Sequence, residues 1–223
     1  MLRTTLKTLT LCLGLGGATT AHAGDAYFGF DAIAALSTTD FGGFNNLGGF
    51  SNNDTPNDTI SGVALRFGMR DQWTIGNRSV TPEIEFTWFD DTITSASFPG
   101  LPTPFFFYTT SVESYRLGVN LWTPFHQDEL WRAELGAGAG AVHRKISTTD
   151  TVVAGRKDDT KLYGQVGMRF LRKVSANSSL SLSTIYSFTD KTSVPLDGGP
   201  SGNLSLKTNR LEIGLGYQVT LGK

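Results

Sequence analysis

Nine charged residues form the pattern with most chemical potential in this chain: Arg66, Glu83, Glu85, Arg116, Arg132, Glu134, Arg169, Arg210 and Glu212. Each lies in a stretch where apolar side chains take every second position, and each falls on the opposite parity. Five guanidiniums nearly balance four carboxylates. The planar Arg fork meets a carboxylate through two parallel hydrogen bonds, so such a set suits buried ion pairs better than a solvated surface. Conventional catalytic groups are sparse. Beyond residue 23 the histidines are His126 and His143, and the one cysteine is Cys12. Hydrolysis needs a base within reach of a nucleophile and an orienting group. Only His143, facing a Ser or Asp on a neighbouring strand, offers a candidate base, and no catalytic residue is assigned. The chain has no phosphate loop, zinc-type ligand cluster or dinucleotide fingerprint, so neither a metal nor a cofactor is expected.

The elements that position these groups follow from the chain's two ends inward. Arg3 and Lys7 precede an apolar run from Thr8 to Ala18 and then the triplet Ala21-His22-Ala23, the layout of a secretory signal peptide. Residues 1–23 are therefore expected to be cleaved, leaving one domain over 24–223. Cleavage removes Cys12, and with it any disulfide or thiol nucleophile. It also removes Arg3 and Lys7, leaving 17 basic against 20 acidic residues. No basic field for nucleic acid exists. No later stretch approaches the ~20 apolar residues of a spanning helix. A membrane β-barrel is not excluded, because its alternating strands give the mean hydropathy of a soluble protein.

Period-2 alternation appears in eight segments: Ala26–Leu36, Ser61–Arg70, Val80–Phe89, Ser114–Trp122, Leu130–Arg144, Leu162–Leu171, Ser179–Phe188 and Arg210–Leu221. Their lengths match tilted membrane strands of about 9–11 residues. The connections alternate between long (37–59, 90–113, 145–161, 189–208) and short (71–79, 123–129, 172–178). These features predict an all-β fold: an eight-stranded antiparallel up-and-down transmembrane barrel with long extracellular loops and short periplasmic turns. Trp73, Trp122, Trp131 and Tyr217 are expected in an aromatic girdle near the periplasmic ends, and Trp88, Tyr108 and Tyr186 in one near the outer ends. In a soluble sandwich the polar parity would be dominated by Lys, Glu and Asp. Here it is rich in Gly and Arg. Gly136, Gly138 and Gly140 share one parity, as close approach across a narrow bore requires. The nine charges are thus assigned to the lumen, where they form either a closed salt-bridged plug or a narrow ion path. The first two long connections carry aromatics, Phe41, Phe44 and Phe50 in one and Phe98 to Tyr108 in the other. These are expected to contact a partner or to fold over the barrel mouth.

The segments Ala26-Tyr-Phe-Gly-Phe30, Pro82-Glu-Ile-Glu-Phe86, Leu135-Gly-Ala-Gly-Ala-Gly140, Gly167-Met-Arg-Phe170 and Asn177-Ser-Ser-Leu-Ser-Leu182 resemble the OmpA-like and opacity-type eight-stranded outer-membrane β-barrel family. The closing strand resembles that family's assembly signal at Glu212, Gly214, Tyr217 and Val219, although the chain ends in Leu221-Gly222-Lys223 instead of a terminal Phe. The resemblance implies export through the general secretory pathway to the outer membrane of a Gram-negative bacterium. It implies as partners the lipid and lipopolysaccharide of that membrane, with periplasmic chaperones and the barrel-assembly machinery during biogenesis, and a monomeric state. The role expected is structural or surface-exposed: envelope integrity, adhesion to a host or surface ligand, or contact through outer loops. A narrow channel for ions or small solutes is the alternative, and an outer-leaflet lipid hydrolase using His143 ranks third. A shared fold does not carry function across.

Overall fold

A computed structural model describes residues 25–45, 48–51, 57–97, 107–149, 154–197 and 202–221. The expected signal peptide and its cleavage site lie outside the described residues, as do 98–106 of the second aromatic connection.

Among the described residues there are eleven strands: β1 (Ala26–Asn45), β2 (Gly48–Ser51), β3 (Asn57–Met69), β4 (Trp73–Ile75), β5 (Arg78–Ser97), β6 (Phe107–Gln127), β7 (Trp131–Thr149), β8 (Ala154–Lys173), β9 (Ser178–Thr189), β10 (Thr192–Leu196) and β11 (Gly202–Thr220). Eight of them, β1, β3, β5, β6, β7, β8, β9 and β11, pair antiparallel with sequence neighbours and close into a ring through β1 and β11. That closing seam runs from Tyr27↔Thr220 to Phe44↔Asn203. Closure is what lipid demands, because an open edge would leave backbone groups unpaired in hydrocarbon. The first and last strands meet at one end, the periplasmic end of the sequence reading. There β4 folds back on β5 through Gly76-Asn77, with Gly76 at φ 62. Asp71 also takes a left-handed conformation, φ 51, which Asp tolerates better than most side chains.

The long connections expected from the sequence prove to be largely strand. β6 extends at both ends of its expected segment, β7 and β8 run to Thr149 and back from Ala154, and β10 continues the wall of β9 beyond a break at Asp190-Lys191. The reason is visible in the parities. Thr38, Asp40, Ser95, Thr109, Ser111, Lys145, Ser147 and Asp158 still alternate with inward residues, but their outward side chains are polar where the lower wall is apolar. The hydrophobic pattern stops at the membrane boundary; the backbone ladder does not. Bulges adjust the phase. The register shifts between Phe89 and Thr92. β9 buries odd-numbered residues through Ser187, whereas β10 buries Thr192, Val194 and Leu196.

The wall therefore has two zones. In the lower zone Phe28, Phe30, Leu65, Phe67, Phe86, Leu117, Val119, Val166, Phe170, Leu182, Ile213 and Leu215 are exposed outward, while the inward positions are mostly charged, polar or small, beside a compact apolar cluster of Ile33, Ala35, Ile60, Ala64 and Phe89. In the upper zone the polarity inverts. Phe41, Tyr108, Val112, Ile146, Val194, Leu196, Leu204 and Leu206 form a buried apolar cluster inside the ring. Tyr108, expected in the outer aromatic girdle, belongs to this cluster, as does Phe41 of the first long connection.

Candidate functional site

All nine charged residues singled out above lie inside the ring, with 1–7% of their surface exposed. Eight of them, all but Arg210, join with Asp71 into a ladder of alternating sign that climbs from the periplasmic turn. Arg132 donates through Nη1 and Nη2 to the Asp71 carboxylate at 2.8 and 2.7 Å and through Nε to Glu134 at 2.6 Å. Arg169 bridges Glu134 (Nη2 to Oε2, 2.6 Å) and Glu83 (Nη1 to Oε2, 2.6 Å). Arg66 lies 4.0 Å from Glu83 and donates through Nε to Glu85 at 3.1 Å. Glu85 lies 3.8 Å from Arg116, whose guanidinium grips Glu212 at 2.6 and 2.8 Å. Asn120 and Gln165 complete the middle layer: Gln165 donates to Asn120 at 2.7 Å, and Asn120 reaches both Glu83 and Glu85 at 3.3 Å. Taking one partner from such a buried pair costs about 3–5 kcal/mol, because the other charge is then left uncompensated.

Four further lumen residues escaped the sequence reading. Asp31 pairs with Arg66 and accepts from Ser181 at 3.0 Å. Tyr27 donates to Glu83 at 2.6 Å. Arg144 pairs with Asp159 at 3.5 Å and donates to Thr192. Trp122, expected in the periplasmic girdle, points into the bore instead: its indole Nε1 donates to Glu83 at 2.9 Å and its ring lies under Arg169, 4.5 Å from centroid to Cζ. Parity would have found it, since Trp122 is an even number of residues from Arg116 on the same strand, as is Tyr108. Glycines make room for these rings. Any side chain on Gly136 would run into the Trp122 indole, and one on Gly118 into the Tyr163 hydroxyl.

The remaining aromatic positions, Trp73, Trp88, Trp131, Tyr186 and Tyr217, are exposed on the outer surface of the wall. In the closing strand Glu212 and Gly214 face inward, while Tyr217 and Val219 face outward. His143 also faces outward, stacked on Tyr115 (centroids 4.8 Å apart), with its Nδ1 2.9 Å from the Thr160 hydroxyl. No serine or carboxylate joins it in a hydrogen bond among the described residues. No cluster of metal-ligating side chains occurs among them either.

Two turn carboxylates outside the membrane zone are electrostatically set. Burial pushes the Asp71 carboxyl up, but hydrogen bonds from Arg132 and Ser79 together with the Arg132 charge outweigh it and hold the group below the usual carboxylate range. The Asp128 carboxyl is held low by the backbone N–H groups of Trp131 and Leu130, at 2.7 and 2.8 Å. A recess of about 240 Å³ opens at this end of the bore, lined in part by Arg70, Asp128, Trp131 and Arg132. Above it the side chains close the bore. Arg66, Glu83, Glu85, Arg169 and Asn120 each expose 1% of their surface.

No family model and no curated protein matches the sequence. Solved structures do match. The outer membrane protein OprG from Pseudomonas aeruginosa aligns with a TM-score of 0.55 at 11% identity, covering 90% of this chain and 99% of that one. The outer membrane protease OmpT from Escherichia coli aligns with a TM-score of 0.57 at 7% identity, covering 91% and 98%. Ail, the attachment invasion locus protein of Yersinia pestis, aligns at 0.49 and 14% identity, covering 87% and 99%. At these identities the likeness is one of fold. With the closed eight-stranded ring, the apolar outer band and the polar bore, it gives this chain the fold of the eight-stranded outer-membrane β-barrels, as the sequence resemblance implied.

Proposed function

We propose that this protein is a sealed barrel that raises a rigid platform above the outer membrane and displays its loop tips for contact at the cell surface. The observation that carries this reading is the inverted zone. β6 is 21 residues long, so at about 3.3 Å per residue and a tilt near 40° it rises roughly 50 Å, about twice an apolar band of ~25 Å. The projecting wall has its own apolar core around Val112, Ile146, Leu204 and Leu206, like that of a soluble domain. Such a core keeps the upper wall from splaying, so the upper ends of the strands are held at a fixed spacing. The lower lumen is filled by paired charges, which suits a closed structural element. Outer-membrane lipid is the partner proposed for the exposed apolar band, and closure of the ring through β1 and β11 suits a monomer.

Two measurements test the reading. Cysteines introduced at Asp158 and Ser193 should react with an impermeant maleimide on intact cells, and one at Asn177 should not. The purified protein should produce no conductance steps in planar bilayers. Reversed labelling would refute the orientation. Steady conductance abolished by Glu85→Gln would instead favour a narrow channel, the reading for which the placement of Glu85 between Arg66 and Arg116 provides an exchangeable pair.

A further inference from the structure

The ladder of alternating charges ends one carboxylate short. It climbs through Arg66, Glu85 and Arg116 to Glu212, and the next inward residue on β11 is another cation, Arg210. Arg210 is 6% exposed and makes no ion pair among the described residues. The charged groups around it are Arg116, Glu212 and Arg144. Glu212 is already engaged: Arg116 holds both its oxygens, and the Ser187 hydroxyl donates to Oε1 at 2.7 Å. Arg144 has Asp159. Arg210 is left with one hydrogen bond, Nη1 to the Ser114 hydroxyl at 2.8 Å, and with the face of Phe89 at 4.4 Å. Ser114 belongs to β6, across the ring from β11, so the side chain spans the bore. On that far side it shares the Phe89 ring with Arg116, whose Cζ is 4.8 Å from the ring centroid. Arg144 is the cross-strand partner of Ser114.

This arrangement brings three buried guanidiniums toward one level of the bore, and their Nε atoms all lack hydrogen-bond partners among the described residues. The buried Ser37 hydroxyl, cross-strand from Arg210, lacks one too. Every one of these groups can donate. A buried cation needs a counter-charge, and unpaired buried donors need acceptors. A small anion supplies both.

We propose that the upper lumen is an anion site in which a small monovalent inorganic anion, chloride in the cell envelope, binds at Arg210 in the place of the missing carboxylate. The site is independent of what the loop tips contact.

Crystals of the full mature protein grown in sodium bromide test it directly. The expected result is an anomalous peak against the Arg210 guanidinium, with none there in Arg210→Gln. In detergent at constant ionic strength, replacing gluconate by chloride should raise the unfolding midpoint of the wild type by roughly 3–5 °C, the effect of a ligand at about ten times its dissociation constant on a chain of this size. Arg210→Gln should remain heat-modifiable on a detergent gel and lose that dependence. Wild-type crystals with no bromide at Arg210, or a chloride dependence that survives in Arg210→Gln, would overturn the proposal. Should the variant fail to fold, the bromide map of the wild type decides alone.

Discussion

The two zones of the wall use the same alternation to bury opposite chemistry. In the lower zone Glu83, Arg169 and Arg66 are buried while Phe67, Phe86 and Phe170 face outward; in the upper zone Ile146, Leu204 and Leu206 are buried while Lys145, Asn203 and Lys207 face outward. The difference follows from the medium outside. Where the wall meets hydrocarbon, outward residues must be apolar, and the inward parity is free to be polar provided every charge finds a partner. Where the wall meets water, the only driving force for a filled interior is apolar burial. One zone is held by long-range polar pairing of buried side chains, the other by an ordinary hydrophobic core.

Substitutions can break the comparison at either zone. Glu83→Ala should have the largest effect, about 3–5 kcal/mol in urea unfolding of the refolded protein, because Arg169, Tyr27 and Trp122 all lose an acceptor. Replacing Glu83 and Arg169 together by Leu and Met should recover a large part of that loss. If the double replacement is as damaging as the single one, pairing is not what holds the lower zone. Leu204→Ala should cost about 2–4 kcal/mol, the usual penalty for a buried leucine. That cost should appear as protease sensitivity and fast hydrogen exchange in β10 and the upper part of β11, with the membrane zone and the gel shift unchanged. Loss of the shift would mean the zones unfold as one unit.

Gly136→Val should cost about 1–3 kcal/mol by forcing the Trp122 indole off its seat, read as a changed tryptophan emission. The smallest effect belongs to the turn. The folded-state carboxyl of Asp71 lies below its unfolded value, so its contribution is present above the ordinary carboxylate range, near pH 4. It disappears as pH falls through the folded value. Asp71→Asn should therefore weaken the barrel at pH 7, by less than about 1 kcal/mol because the side chain is 40% exposed. The difference from wild type should vanish in acid, once the folded-state carboxyl is itself protonated.

Alternation made the eight wall segments legible, together with the inward placement of all nine charges, because both depend on a period of two that each strand carries locally. For Trp122 and Tyr108 the aromatic preference for interfaces points outward while parity points inward, and parity prevails. The upper strands look like loops in the sequence because the outward residues there turn polar, which removes the apolar stripe while leaving the ladder intact.

What the chain determined by itself is which residues face in, and the overall balance of charge among them. Which Arg meets which carboxylate was decided only by the closed ring. Arg116 and Glu212 are 96 residues apart on opposite walls, and their meeting depends on the register of every strand between them. The same closure leaves Arg210 without a carboxylate, because a local pattern counts charges while only the assembled bore pairs them.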